Sequence, residues 1–302
     1  MNVSELKLLF SEFGDNVSFE VNLKKKNWFN IGGKTKVFYK AENLKELISF
    51  LKKNNNKNKI FVLGAGSNTL ISDNLFDGII IKLSKDFKNI SLNQNDILIA
   101  GCAVLDRSVS EFAVKNSLSG FEFLSCIPGT IGGGIMMNAG CFDREFKDIL
   151  ISVQAIDKTG NIKTIHAKNI KFGYRETNLP KDLIFLSASF QGRKGNSEEV
   201  KKKIEELKLR KIKNQPHHIK TSGSTFKNPI KQTKKKVWQL IRQSVDLNKN
   251  FGDAHISSKH SNFFVNKGNA TYEDMINLIN YVEEKVFKKT GIKLQKEIRI
   301  LE

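Results

Sequence analysis

In the first two thirds of the chain, short hydrophobic runs typical of β-strands alternate with stretches whose apolar residues have helical spacing. Five short runs rich in Ile, Val and Phe have the length and composition of β-strands: Lys59–Val62, Gly78–Leu83, Ile97–Gly101, Ile151–Ile156 and Leu183–Phe190. Between them, apolar residues at helical spacing predict helices over Asn43–Lys53 and Leu105–Val114. The pattern is typical of an α+β fold.

A change in the pattern near residue 196 predicts a domain boundary. Asn196 with Glu199 three positions later resembles a capping box, and a long charged helix follows until a break at Pro216. We therefore expect a domain over 1–195, divided into two α+β subdomains near position 80, and a second domain over 196–302.

Two further helices are predicted in this second part. One covers Val237–Val245, and the other opens at Thr271 and ends at Gly291, with an apolar stripe along one face. No apolar run reaches the ~18 residues that a membrane span needs. The N-terminus has no signal-peptide pattern, so we expect a cytoplasmic protein without membrane insertion.

The composition changes this picture in one respect. The 302 residues carry a formal net charge of +19, and 39 % of them are hydrophobic, which indicates a globular but strongly basic protein. Lys triplets at Lys24–Lys26, Lys201–Lys203 and Lys234–Lys236 lie in different predicted elements, which favours solvated faces over one nucleic-acid-binding stripe. The charge should still attract anions, including phosphorylated small molecules.

Cysteine and histidine positions predict no metal site. Cys102, Cys126 and Cys141 are an odd number without a CxxC spacing, so we expect free thiols. His217 and His218 are adjacent, and their side chains would point apart on a strand.

A first candidate for chemistry is the segment LGAGSN at Leu63–Asn68, directly after an apolar run. A strand leading into Gly64 and Gly66 exposes successive backbone N–H groups, which suits a pyrophosphate. The segment fails the dinucleotide-binding pattern GxGxxG, because Thr69 stands where the third glycine belongs. A simple tight turn is therefore the alternative interpretation.

The second candidate is PGTIGGGIMMNAG at 128–140, which holds five of the 21 glycines in the chain. Apolar residues interleave with these glycines, which indicates a buried, ordered loop rather than a flexible linker. Such a cluster means that backbone approaches something closely, either a ligand or another part of the chain. We favour a turn that cradles a ligand, with tight backbone packing as the alternative.

These two segments, with Asn30–Gly33 upstream, resemble the flavin-binding half of the UDP-N-acetylenolpyruvoylglucosamine reductases of bacterial cell-wall synthesis. The resemblance continues through further stretches along the chain: FGYRET at Phe172–Thr177, GSTFKNP at Gly223–Pro229, SSKHSNFFVNKGNAT at Ser257–Thr271 and IKLQKEIRIL at Ile292–Leu301. It implies a two-subdomain FAD-binding fold of the vanillyl-alcohol-oxidase/PCMH type, followed by a C-terminal α+β substrate-binding domain.

The resemblance also implies an NADPH-dependent FAD enzyme that reduces the enolpyruvyl group of a UDP-sugar in peptidoglycan precursor synthesis. Backbone amides of the glycine-containing segments would hold the FAD. The implied cofactor-binding residues are Ile31, Gly32, Gly33, Leu63, Gly64, Ala65, Gly66, Ser67, Asn68, Pro128, Gly129, Thr130, Gly132, Gly133, Asn138, Ala139 and Gly140.

Three residues carry the implied catalysis. Arg175 and Glu297 match the pair that stabilises the enolic intermediate, and Ser224 matches its proton donor. An arginine fork suits an oxyanion, and a serine can protonate a strongly basic carbanion in a dry, positive surrounding. The residues alone favour a structural role, with Arg175 and Glu297 as an ion pair and Ser224 as a turn residue; only the resemblance favours catalysis.

Asn228 matches a family residue that contacts the UDP-sugar, and Tyr174 and Lys227 are expected as its neighbours in that pocket. His260 and Asn262 lie in a matching stretch, yet their pattern predicts no role beyond a loop beside a helix.

The chain departs from the family pattern at a few positions. Cys126 replaces a common glycine, and Gln295 with Lys296 replaces a common Glu–Pro pair. The spacing of Arg175 and Ser224 leaves no room for an extra segment present in one subclass, so the chain resembles the shorter subclass.

Two alternative functions remain at this stage. One is another FAD-dependent oxidoreductase or oxidase of the same superfamily, and the other is a Lys-rich nucleic-acid-binding protein. The sequence shows no pattern that predicts an oligomeric state.

Overall fold

A computed structural model describes all 302 residues and divides them into two compact units. The first unit comprises Met1–Val21, Thr35–Ala65 and Asp77–Lys211, and the second comprises Asn22–Lys34, Gly66–Phe76 and Ile212–Glu302. The compact units therefore change at residue 212, and two early segments of the chain belong to the second unit. The division expected at residue 196 stays a prediction about domains.

Seven α-helices form, and none is both long and apolar enough to cross a membrane. They are α1 (Val3–Leu9), α2 (Leu44–Asn54), α3 (Asp106–Lys115), α4 (Ile131–Met136), α5 (Ser197–Asn214), α6 (Val237–Ser244) and α7 (Tyr272–Thr290).

Thirteen strands have three or more residues. They are β1 (Val17–Asn22), β2 (Lys34–Ala41), β3 (Lys59–Val62), β4 (Thr69–Ile71), β5 (Phe76–Leu83), β6 (Ile90–Leu92), β7 (Ile97–Gly101), β8 (Leu150–Ile156), β9 (Ile162–His166), β10 (Ile184–Gln191), β11 (Ala254–Ile256), β12 (Phe264–Asn266) and β13 (Arg299–Leu301). Two-residue strands pair as Leu118–Ser119 with Arg193–Lys194, Gly140–Cys141 with Arg144–Glu145, Phe172–Gly173 with Glu176–Thr177, and Phe226–Lys227 with Gln295–Lys296.

The first unit is built on two sheets. One has the order β1-β2-β5-β3, with β3 and β5 parallel, and the other has the order β9-β8-β10-β7-β6, with antiparallel neighbours. In its core the Phe50 ring stacks on Tyr39 at 3.9 Å and on Phe10 at 4.5 Å between centroids. Burial of such large rings supplies much of the stability of a small core.

The second unit packs α6 and α7 against the two early segments of the chain. Phe29 and Leu70 are fully buried in the same apolar cluster as Leu240 and Leu278. The parallel pairing of β4 with β13 ties residues 69–71 to the C-terminal strand. This pairing holds one flank of the LGAGSN segment beside the chain that carries Glu297.

The predicted α+β class is confirmed, and each strand and helix predicted above forms within a few residues of its predicted bounds. Asn196 caps α5 by accepting from the Glu198 backbone N–H at 2.9 Å, and Thr271 with Asp274 forms a capping box on α7. Gly291 ends α7 in the left-handed conformation, with φ +71°. Among the helices and the strands of three or more residues, the prediction missed α1, α4, β1, β2, β4, β6, β9, β11, β12 and β13.

Asp106, at the start of α3, is a buried acid next to the glycine-rich segment. Its side chain is fully buried, neither carboxylate oxygen has a hydrogen-bond partner, and its backbone N–H donates to Gly129 O at 3.2 Å. Burial raises the pKa of Asp106 well above its ordinary value. The folded state therefore favours the protonated carboxyl.

Replacing Asp106 with Asn should change how the free energy of unfolding depends on pH. In the parent, the unfolded chain loses the Asp106 proton above pH ~4 while the folded chain keeps it, so this group lowers the free energy of unfolding as pH rises. Asp106→Asn has no proton to lose at this position. As pH rises from ~4 to the folded-state pKa of Asp106, the free energy of unfolding of the variant minus that of the parent should therefore increase by up to about 1.4 kcal/mol per pH unit.

Urea unfolding of both proteins over a pH series measures this difference. Asp157→Asn is the control with the opposite sign, because hydrogen bonding from the Thr159 hydroxyl lowers the pKa of Asp157. Parallel pH profiles for the parent and Asp106→Asn would show that Asp106 has no raised pKa in the folded state.

Candidate active site

The two glycine-containing segments meet in the first unit. A Cβ atom added at Gly64 would lie 2.7 Å from Thr130 Oγ1, closer than real Cβ contacts allow. Lys82 Nζ, on β5, donates to Gly64 O. A side chain at position 64 would therefore force Thr130 to shift, because the turn after β3 lies directly against the segment that opens α4.

Backbone amides are available on both segments. The N–H groups of Gly64 and Ala65 donate to no acceptor among the 302 residues, and neither do those of Gly129, Thr130 and Gly133. Inside a fold such groups are normally paired, and successive amides of this kind bind anions. The first unit thus presents donors of the kind that a pyrophosphate requires.

The glycine-rich segment is not the continuous loop that the sequence predicted, because Ile131–Met136 forms the short helix α4. Two of its five glycines are required by packing within the protein. A Cβ at Gly134 would lie 2.3 Å from the Phe146 ring, and one at Gly140 would lie 2.4 Å from Arg144 O. Gly133 differs, because it is exposed and its nearest neighbour, Thr130 Oγ1, would lie at 3.7 Å. Packing therefore explains Gly134 and Gly140, and the ligand-cradling interpretation stays a prediction for the exposed Gly133.

In the second unit, the upstream glycines also pack against protein. A Cβ at Gly33 would lie 2.1 Å from Asp73 O, and the Gly33 N–H donates to Ser72 O at 2.8 Å. Ile31 is 1 % exposed, and its carbonyl accepts from Asn27 Nδ2 at 2.7 Å. Position 33 is therefore occupied by glycine because residues 72–73 approach its backbone closely.

The other half of the LGAGSN segment also lies in the second unit. A Cβ at Gly66 would lie 2.5 Å from Lys26 O, and the Gly66 N–H donates to no acceptor in the chain. Asn68 donates from Nδ2 to Glu297 O at 3.1 Å and accepts at its carbonyl from the Arg299 N–H at 2.9 Å. Asn68 therefore fixes the backbone of the predicted catalytic carboxylate.

Arg175 lies in a tight hairpin turn of the first unit, between Phe172–Gly173 and Glu176–Thr177. Its φ of +59° is uncommon for a residue other than glycine. Its guanidinium donates to Gly140 O at 2.7 Å, pairs with Glu145 at 3.7 Å and lies 5.0 Å from the centre of the Tyr174 ring. These contacts attach Arg175 to the end of the glycine-rich segment.

Asn138 organises the residues around Arg175. It is fully buried, donates from Nδ2 to Glu145 Oε2 and to Gly173 O, both at 3.0 Å, and accepts from the Lys147 N–H at 3.1 Å. It therefore connects the glycine-rich segment to the hairpin that carries Arg175.

Ser224 and Glu297 come to neighbouring chain segments in the second unit. Phe226 pairs with Lys296 in a short antiparallel ladder, and the Glu297 N–H donates to Thr225 O at 2.8 Å. Ser224 directly precedes Thr225, and Gly223 before it has φ +78°. The structure thus brings together two of the three predicted catalytic residues within one unit, while Arg175 belongs to the other unit.

Lys227 ends the two-residue strand that follows Ser224, and Asn228 comes directly after it. Lys227 pairs with Gln295 in the ladder, and Asn228 Oδ1 accepts from the Val237 N–H at 3.0 Å at the start of α6. Lys296, which replaces a common proline, forms an ion pair with Glu283 at 3.0 Å, so its charge is partly neutralised.

The prediction that Asn262 has no specific role is wrong. Asn262 is buried and contacts the Ser224 strand by three hydrogen bonds: its Nδ2 donates to Phe226 O at 2.9 Å, its Oδ1 accepts from the Phe226 N–H at 3.1 Å, and its carbonyl accepts from the Thr225 N–H at 2.8 Å. No single-sequence pattern distinguishes this asparagine from the others in so Asn-rich a chain.

The sequence analysis did not identify two other side chains of the first unit, Lys82 and Glu145, as parts of the site. Lys82 is the one charged residue in the apolar run Gly78–Leu83, and that position could have singled it out. Glu145 gave no signal, because its partners Asn138 and Arg175 are distant in sequence.

The expectation that His217 and His218 point apart was also wrong. Neither residue lies in a strand, and their ring centroids are 5.3 Å apart. No group of three or more His, Cys, Asp or Glu side chains in the chain could hold a metal ion.

Comparisons with known proteins match both halves of the chain. Residues 35–166 match the family described as FAD binding domain, and residues 215–301 match the C-terminal domain of UDP-N-acetylenolpyruvoylglucosamine reductase. The reductase of that name from Pelagibacter ubique is 60 % identical over 301 residues, covering 100 % of both chains. Its counterpart from Rickettsia bellii is 45 % identical, covering 93 % of this chain and 92 % of that one.

A solved structure shows the same similarity in three dimensions. The crystal structure of UDP-N-acetylenolpyruvylglucosamine reductase from Thermus caldophilus superposes with a TM-score of 0.81 at 28 % identity, over 93 % of this chain and 98 % of that one.

Asn138→Ala should destabilise the first unit, because it removes three hydrogen bonds and leaves buried partners unpaired. We expect a loss of about 1–3 kcal/mol in the free energy of unfolding, measured by urea denaturation. Asn161→Ala is the control, since Asn161 is exposed and its side chain contacts only the neighbouring turn residues Thr159 and Asp157. Equal losses in the two variants would contradict the organising role of Asn138.

Proposed function

Because this chain belongs to the UDP-N-acetylenolpyruvoylglucosamine reductase family, we propose that it reduces UDP-N-acetylglucosamine enolpyruvate to UDP-N-acetylmuramate, a step of peptidoglycan precursor synthesis. FAD is the cofactor and NADPH the reductant. The observation that carries the proposal is the 60 % identity to a curated reductase over the whole chain. It favours this reaction over the oxidase and the nucleic-acid-binding alternatives. We place the enzyme in the cytoplasm, where NADPH and nucleotide sugars are found.

The residues of the glycine-containing segments fit a flavin dinucleotide. Unpartnered amides at Gly64, Ala65, Gly129, Thr130 and Gly133 match the acceptor oxygens of a pyrophosphate. FAD held by these residues would supply the hydride that NADPH provides, for the enolpyruvyl methylene carbon. We propose as FAD-binding residues the full set expected from the sequence: Ile31, Gly32, Gly33, Leu63, Gly64, Ala65, Gly66, Ser67, Asn68, Pro128, Gly129, Thr130, Gly132, Gly133, Asn138, Ala139 and Gly140.

Arg175 and Glu297 are proposed to stabilise the electrons that move onto the substrate carboxylate after hydride arrives. Arg175 suits this role because its cation is permanent and its planar fork matches a carboxylate or enolate oxygen. Gly140 O and Glu145 hold the guanidinium in one orientation, so little reorganisation is needed during the reaction. Glu297 is held at its backbone by Thr225 O and by Asn68 Nδ2.

Ser224 is proposed to give its hydroxyl proton to the carbon adjacent to the reduced methylene. A serine hydroxyl is a weak acid, so it requires a strongly basic carbanion and a nearby positive charge. Lys227 is three residues later on the same segment and can supply that charge. We propose that Tyr174, Lys227 and Asn228 contact the UDP-sugar.

Ser224→Ala should separate the two half-reactions. Loss of the proton donor should slow reoxidation of the flavin by the enolpyruvyl substrate by about 10²–10⁴-fold, while reduction by NADPH keeps its normal rate. Stopped-flow absorbance of the flavin measures both steps. Ser222→Ala is the matched control, since Ser222 is a buried serine of the same segment with a hydrogen bond of 3.4 Å to Thr69 O. Normal reoxidation in Ser224→Ala would remove Ser224 as the donor.

Two adjacent glycines should respond oppositely to alanine. Gly134→Ala places a Cβ against the Phe146 ring and should lower the free energy of unfolding by about 1–3 kcal/mol. Gly133→Ala meets no protein neighbour closer than 3.7 Å and should keep or raise stability by about 0.5–1 kcal/mol, because alanine favours a helix.

FAD binding distinguishes the cofactor role of Gly133 from a packing role. Gly133→Ala should release FAD more readily than the parent on dilution, measured by recovery of free-flavin fluorescence, although its apoprotein unfolds at the same or higher urea concentration. Unchanged FAD retention in Gly133→Ala would show that the dinucleotide does not approach this position.

A further inference from the structure

Lys82 is the one charged residue in the apolar run Gly78–Leu83, and it lies next to the turn that follows β3. β3 and β5 run parallel, and at the end of their ladder the Leu63 N–H donates to Ile81 O at 2.9 Å. Lys82 therefore comes directly after the last paired position, level with the turn that opens at Gly64.

The alternation of side chains along β5 determines where the Lys82 ammonium lies. Ile79, Ile81 and Leu83 are buried in the hydrophobic core of the first unit. Because successive side chains of a strand point to opposite faces, the Lys82 side chain leaves the sheet on the face away from that core. There its Nζ donates to Gly64 O in a partly buried, charge-assisted hydrogen bond.

The peptide group between Gly64 and Ala65 transmits this contact to the free amides. The chain contains no cis peptide bond, and in a trans peptide the C=O and the following N–H point in opposite directions within one plane. With Gly64 O held by Lys82, the Ala65 N–H points away from the ammonium, and it donates to no acceptor in the chain. A cation on the carbonyl oxygen also polarises the peptide group and makes its N–H a stronger donor.

The segment that opens α4 contacts the same turn. A Cβ added at Gly64 would lie 2.7 Å from Thr130 Oγ1, so Gly64 lies directly against Thr130. The N–H groups of Gly129 and Thr130 donate to no acceptor in the chain either. Lys82 thus fixes the orientation of a peptide group that adjoins the free amides of the glycine-rich segment.

We propose that Lys82 is a positioning residue for FAD: its ammonium holds the Gly64–Ala65 peptide group so that the Ala65 N–H is available to the pyrophosphate. Lys82 acts through this peptide group, and its positive charge adds to the attraction for the anionic phosphates. The inference rests on the proposed function, because that function places the pyrophosphate at these amides.

The affinity of the enzyme for FAD tests the proposal. Lys82→Met keeps the apolar stem and removes the ammonium, so the loss of a charge-assisted hydrogen bond should raise the Kd of FAD by about 10–100-fold. Lys82→Arg retains a cationic donor, so its Kd should stay within about 3-fold of the parent value. Dilution of the FAD-loaded enzyme, followed by the fluorescence of the released flavin, measures each Kd.

Lys59→Met is the matched control. Lys59 lies on β3, the strand next to β5, where it is exposed and pairs with Gly78 in the ladder. The variant loses the same charge from the neighbouring strand, but an exposed charge is screened by salt and Lys59 does not hold the turn. The Kd of FAD should therefore change by less than about 2-fold.

The ³¹P NMR spectrum of the FAD-loaded enzyme gives a readout that a purely structural lysine would not affect. At saturating FAD, Lys82→Met should shift the resonances of the bound pyrophosphate relative to the parent, whereas Lys59→Met should leave them unchanged. If Lys82→Met does not fold, the parent enzyme provides the test. Bound FAD should then slow hydrogen exchange of the Ala65 amide, and an Ala65 amide that exchanges equally fast with and without FAD would overturn the proposal.

Three further outcomes would also overturn it. They are a Kd of FAD in Lys82→Met equal to that in Lys59→Met, unchanged ³¹P resonances in Lys82→Met, and a loss of affinity in Lys82→Arg as large as that in Lys82→Met. In each case a parent enzyme that retains FAD and reduces the enolpyruvyl sugar nucleotide keeps the proposed function. A parent enzyme that binds no FAD would reject the proposed function, and the role of Lys82 with it.

Discussion

The structure of the candidate site depends on one close approach of backbone to side chain, at Gly64 and Thr130. The turn after β3 lies directly against the start of α4 because Gly64 has no side chain; a Cβ there would lie 2.7 Å from Thr130 Oγ1 and force Thr130 to shift. This contact joins two segments that are more than sixty residues apart in the chain. It brings unpartnered amides of both segments together, and this is the surface that we propose for the dinucleotide.

The same segment also orients the proposed catalytic arginine. Asn138 and Gly140, at the end of the glycine-rich segment, hold Glu145 and Arg175 through hydrogen bonds of 3.0 and 2.7 Å. Arg175 has a positive φ, a conformation that costs a non-glycine residue roughly 1–3 kcal/mol. The surrounding contacts compensate for that cost. The segment that supplies amides therefore also fixes a cation in place.

Backbone contacts play the corresponding role in the second unit. Asn262 holds the strand after Ser224, and Asn68 holds the carbonyl of Glu297. Both asparagines use their amide groups to join chain segments that have little regular secondary structure of their own. Polar side chains, rather than long strands, thus position Ser224 beside Glu297.

The sequence by itself determined the α+β class, the main helices and strands with the caps of α5 and α7, and the family, because hydrophobic periodicity, capping residues and short motifs are local properties. It could not separate packing glycines from exposed ones, since Gly133 and Gly134 are adjacent and identical in sequence. Only the tertiary structure distinguished them, by placing the Phe146 ring against Gly134 and leaving Gly133 exposed. The roles of Asn138, Glu145 and Asn262 were decided in the same way, because their partners are brought together only by long-range packing.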